Sequence, residues 1–122
     1  MQEALRPISS LMSKSKKAQQ KLMPGTWQHT MLNDNIKALR YASVLISRWS
    51  DYGDQPERDD MARKPTQDDI QEYLRALAKM IDKTEKTQAR FLPGTSQHTL
   101  QRNRLKALRI AEALIEAELD KG

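Results

Sequence analysis

A chain of 122 residues with four glycines, one phenylalanine and 38% apolar residues, among which Leu, Ile, Met and Ala predominate, has the size of one domain and a helical composition. An all-β architecture is excluded as an expectation. Twenty-one Lys and Arg against 16 Asp and Glu give a net charge of +5, and the lack of cysteine removes disulfides, thiolate metal sites and thiol chemistry.

The N-terminal stretch MQEALRPISSLMSKSKK has no apolar run of signal-peptide length, and no segment approaches the roughly 18 apolar residues of a membrane span. A cytoplasmic, soluble chain is expected. Met1, Leu5, Ile8, Met12, Ser15, Gln19 and Leu22 recur at spacings of three and four, the seam of a bundle helix. Pro7 would break a helix from deep inside, so the helix is expected to start there or just before. It should stop at Pro24-Gly25, where glycine tolerates positive φ. Thr26 then caps a second helix reaching about Trp49, with Ile36, Leu39, Ala42, Leu45 and Ile46 as its buried stripe.

Residues 51–65 follow as a polar linker, with Gly53, Pro56 and five acids. Pro65-Thr66 with Asp68 and Asp69 marks a third helix start, Thr66 being the N-cap. Its seam is Ile70, Leu74, Leu77, Ile81, Thr84, Gln88 and Phe91. Beyond Pro93-Gly94, Thr95 caps a fourth helix running to about Leu119, with Leu105, Leu108, Ala111, Leu114 and Ile115 buried.

These two halves are one sequence duplicated. Residues 2–46 align with 71–115 at a constant offset of 69, with 20 identities in 45 ungapped positions; chance gives roughly three. The densest match sets Pro24-Gly25-Thr26-x-Gln28-His29-Thr30 on Pro93-Gly94-Thr95-x-Gln97-His98-Thr99, and Lys37-Ala38-Leu39-Arg40 on Lys106-Ala107-Leu108-Arg109. The expected architecture is all-α: a four-helix bundle of two tandem, pseudo-twofold-related helical hairpins. Hairpin repeat 1 spans 2–50, the acidic linker 51–65 and hairpin repeat 2 spans 66–120, all in one domain.

Charge is polarised within each copy. Residues 13–40 carry six basic residues against Asp34 alone, and residues 82–109 carry seven against Asp82 and Glu85, so each turn region has a net +5. The rest of the chain therefore sums to −5. Lys14, Lys17, Lys37 and Arg40, with Lys83, Lys86, Lys106 and Arg109, are the repeat-equivalent cations around the turns. A helical wheel puts Gln28 on the side of Leu39 and Gln97 on that of Leu108, with Asn35 and Arg104 nearby. With Ser15, Gln19, Thr84 and Gln88 from the first helices, these make the turn-end interior polar. Such amides bond one another, meet water or receive a ligand, since an unpartnered one costs roughly 1 to 3 kcal/mol. His29 and His98 can cap backbone, pack beside Ile36 or Leu105, or bind an anion at a helix N-terminus.

No catalytic constellation is present: no Gly-rich phosphate loop, no Gly-x-Ser-x-Gly, no His-Glu-x-x-His. Two histidines without recurring acids make no metal set, and no cofactor is expected. The turns also lack the second glycine of a helix-hairpin-helix DNA-binding motif, Trp27 and Ser96 standing in its place. The expected function is a non-catalytic, regulatory protein-interaction module presenting basic hairpin ends, with Trp27, Tyr41 and Trp49 as aromatic anchors. The alternative is nucleic-acid binding, RNA or DNA, through the same basic ends. Candidate partner- or anion-binding residues are Lys14, Lys17, Gln19, Gln28, His29, Lys37 and Arg40, with Lys83, Lys86, Gln88, Gln97, His98, Lys106 and Arg109.

Overall fold

The computed structural model describes residues 2–50 and 65–121, and among them every regular element is helical. A 3-10 turn, Gln2–Ala4, leads into α1, Leu5–Gln20; α2 spans Trp27–Ser50, α3 spans Gln67–Gln88 and α4 spans Ser96–Lys121. The fold is all-α with four helices. Met1, linker residues 51–64 and the Trp49 side chain, all invoked in the sequence reading, lie outside the described residues.

Helix α1 begins just before Pro7, which occupies its first turn, where a missing N–H costs no intrahelical bond. Helix α3 begins with a capping box: Asp69 N–H donates to Thr66 Oγ1 at 3.0 Å, and Thr66 N–H donates to the Asp69 carboxylate at 3.0 Å. Both bonds satisfy donors that a helix start otherwise leaves unpaired.

Helix α1 packs most closely on α2 and α3 on α4, and α2 also meets α3 and α4. The largest fully buried side chains are Ile8, Leu39, Ile46, Leu77, Leu108 and Ile115. They are three repeat-equivalent pairs, Ile8 with Leu77, Leu39 with Leu108 and Ile46 with Ile115, so both copies deliver the same positions to one core. Each such burial is worth about 1.5 to 3 kcal/mol. Helix α2 buries a broader face than its stripe suggests, because Ala38 and Tyr41 also enter the core. Tyr41 therefore corrects an expectation: it is 5% exposed, its ring 5.4 Å from that of Tyr73 on α3, and not a surface anchor. Burial pushes both phenols above their usual range, Glu118 adding to the effect at Tyr41 and Asp69 at Tyr73.

Candidate functional site

The repeated Pro-Gly-Thr segment is a turn-and-cap device, built alike in both copies. Helix α1 winds down through Lys21 N–H to Ala18 O and Leu22 N–H to Gln19 O, and α3 through Ala89 N–H to Glu85 O and Phe91 N–H to Gln88 O. Gly25 and Gly94 then adopt φ of 96° and 92°, the left-handed region that a Cβ disfavours. Thr26 and Thr95 each close the turn with a backbone N–H to the carbonyl three residues earlier. Their hydroxyls donate to those same carbonyls, of Met23 and Leu92, and accept from the N–H of His29 and His98 at 3.2 Å.

The histidines are thus held through their backbone at capped helix starts, with half-buried side chains. Gln19 Nε2 donates to His29 O at 3.3 Å, tying α1 to the start of α2. Gln28 and Gln97 are exposed, which corrects their expected inward placement. Both stand in the first turn of their helices, while α1 ends at Gln20 and α3 at Gln88. The helical wheel extends a face that no longer has a helix opposite it.

All the candidate lysines and arginines are exposed, but their surroundings differ. Lys86 pairs with Asp82 at 3.1 Å and Arg109 with Glu85. These are exposed ion pairs worth at most about 1 kcal/mol. In the first copy the positions equivalent to Asp82 and Glu85 are Ser13 and Lys16, so Lys17 and Arg40 have no such acids on α1. Residues 13–21, which run from α1 into its C-cap Lys21, and 96–109 of α4 carry four basic side chains each and no acid, whereas the corresponding parts of α2 and α3 each contain acids. Lys106 lies in a separate groove between the N-terminus of α1 and α4, beside Glu3 and Arg6.

Lys14 and Lys83, equivalent in the repeat, line one cavity of about 290 Å3 to which all four helices contribute. Around it stand two further cations, Lys79 and Arg104, and no Asp or Glu. Other polar lining comes from Ser15, Asn35, Thr84, Thr87 and Gln101; the apolar part includes Leu11, Met31, Leu32 and Met80. The Thr84 hydroxyl is turned inward on its own helix, donating to Met80 O at 2.7 Å, and Gln101 is 8% exposed. The Arg104 Nε is buried and has no hydrogen-bond partner among the described residues. Leaving a buried guanidinium N–H unpaired costs about 1 to 3 kcal/mol.

The lining of this cavity overlaps the expected set of inward polar residues only in part. Ser15, Thr84, Asn35 and Arg104 line it; Gln19, Gln28, Gln88 and Gln97 do not; Lys14, Lys83 and Gln101 join it without a periodicity of their own that marks them as inward. Gln101 could have been found, since its repeat partner Leu32 occupies an inward position one turn before Ile36. Among the described residues, the exposed large hydrophobic side chains, Met23, Trp27, Leu92 and Leu100, lie at or near the turns, with exposures of 74%, 72%, 75% and 43%.

No known family model, curated protein or solved structure matches the chain. Fold and site together define an all-α, four-helix protein with a cation-lined cavity to which all four helices contribute. Among the described residues, no group of three or more His, Cys, Asp or Glu could hold a metal, and no helix is long and apolar enough to cross a membrane.

Proposed function

We propose that the protein is a non-catalytic, regulatory binding module that docks another protein on its two hairpin turns. In this reading the hairpins are related by a pseudo-twofold axis with both turns at one end of a bundle, and the turn end is the working face. Support for the arrangement comes from the shared cavity, since Lys14 and Lys83, Ser15 and Thr84, and Asn35 and Arg104 are repeat-equivalent pairs in a single lining. The observation that carries the function is the position of the exposed large apolar side chains. Met23 and Trp27 flank the first turn and Leu92 and Leu100 the second, within a collar of Lys and Arg.

Solvent-exposed apolar residues gathered in one region, ringed by one sign of charge, favour a partner that offers apolar side chains inside an acidic rim. Trp27 is the strongest anchor, because burying an indole contributes a large apolar area at low entropic cost. The alternative, nucleic-acid binding, draws on the same cations, above all Lys14, Lys17, Lys37 and Arg40. It gives no role to Met23, Leu92 and Leu100, and Lys86 and Arg109 already face acids.

Co-purification from native cells, with and without nuclease, tests this directly. The expected result is a nuclease-resistant protein partner that is lost with Trp27→Ser combined with Leu92→Ser, while helical circular dichroism is retained. Capture that disappears with nuclease, or that survives both substitutions, would overturn the docking reading in favour of nucleic acid or of another face.

A further inference from the structure

We infer that the four-helix cavity is a binding site for a small organic anion, a carboxylate head on an apolar body, separate from any protein docked on the turns. Three observations point the same way. First, the lining holds Lys14, Lys79, Lys83 and Arg104 and no acid, so the cavity has a charge that its own walls do not neutralise. The three lysines are exposed and stand toward the open side of the cavity, where they favour an approaching anion, while Arg104 is half-buried. Second, the Arg104 Nε is buried and has no hydrogen-bond partner among the described residues. An ionised carboxylate is the acceptor that a guanidinium binds most strongly, because charge assistance and matching planar geometry act together.

Third, the repeat has diverged at this site in a directional way. Where the first copy has Leu32, Asn35 and Ala18, the second has Gln101, Arg104 and Thr87, all of them lining residues. The α3–α4 wall is therefore the polar one. The α1–α2 wall offers Leu11, Ala18, Met31 and Leu32. A ligand with its head toward Arg104, Lys83 and Gln101 and its body against Leu11, Met31 and Leu32 satisfies both walls. A bare inorganic anion leaves the apolar wall uncovered, and a neutral hydrocarbon leaves the cations unanswered. At about 290 Å3 the cavity is small, close to the ~300 Å3 lower limit of small-molecule pockets. A short aliphatic chain suits it better than a nucleotide.

The test is calorimetric titration of the intact protein with three probes: decanoate, decanol of equal chain length, and inorganic phosphate. Decanoate should saturate a single site, with decanol and phosphate weaker by about tenfold or more. Arg104→Met should weaken decanoate by about tenfold or more and leave decanol unchanged, whereas Arg48→Gln, an exposed position outside the cavity, should alter neither. Backbone amide shifts on decanoate addition should centre on Thr84 and Gln101. If Arg104→Met loses its helical signal, Lys83→Gln carries the same expectation. Absence of saturation by decanoate, equal affinity for decanol, or full affinity in the folded Arg104→Met variant would each sink the proposal. Loss of the protein partner in the co-purification would leave it standing.

Discussion

Arg104 gives the sharpest stability prediction, because its sign is opposite to that of most interior substitutions. The buried Nε has no hydrogen-bond partner among the described residues, a deficit of about 1 to 3 kcal/mol. Methionine keeps an unbranched stem of similar reach, so the packing that the Arg104 methylenes provide against the cavity wall is largely retained. Helix propensities of Arg and Met are nearly equal, so the backbone of α4 is indifferent to the change. The three neighbouring cations are exposed and screened by water, so relief from them adds little in the same direction. The half-buried position of Arg104 tempers these gains, leaving Arg104→Met more stable by about 1 kcal/mol. In a chain of this size that is a rise in melting temperature of about 3 to 5 °C. Urea unfolding followed by circular dichroism, with an unchanged slope against denaturant, is the assay. A loss of more than about 1 kcal/mol, the worth of an ordinary hydrogen bond, would show that Arg104 serves packing or pairing in the fold and would refute the reasoning. Stability gained together with anion affinity lost is the signature of a residue kept for binding.

The remaining predictions concern the turns and the core. Gly25→Ala and Gly94→Ala should each destabilise by about 1 kcal/mol. An added Cβ meets nothing within 4 Å at either site, so the left-handed φ alone carries the cost. Gly25→Asn should lose less, since Asn tolerates that region; equal stability of Gly25→Ala in chemical denaturation would contradict the account. For Tyr41 and Tyr73, folding raises the phenol pKa above the usual 10.0, through burial first. An acid whose folded pKa is raised stays neutral while the unfolded chain ionises. Its contribution is therefore complete below pH 10 and is lost as pH climbs through the folded value. Tyr41→Phe should flatten that alkaline loss, read from melting temperature between pH 9 and 11, with phenolate absorbance reporting the ionisation.

Much of this architecture was legible in the residues themselves, for local reasons. Helix starts at Thr66 and at Thr26 and Thr95, stops at Gly25 and Gly94, and the tolerated Pro7 all depend on chemistry within four residues of the position concerned. The core pairs Ile8 with Leu77, Leu39 with Leu108 and Ile46 with Ile115 followed from periodicity and the 69-residue offset. Tertiary structure decided what periodicity does not encode, namely where one helix ends relative to its neighbour. Gln28 and Gln97 share a wheel face with Leu39 and Leu108, yet stand exposed beyond the last turns of α1 and α3. Tyr41 lies beside that face and is buried, because α3 covers it through Tyr73. The cavity is the clearest case: Lys14 and Lys83 lie 69 positions apart in the sequence and line one space only because four helices meet there. Its uncompensated charge is a sum over distant residues, a quantity that no single stretch of the chain contains.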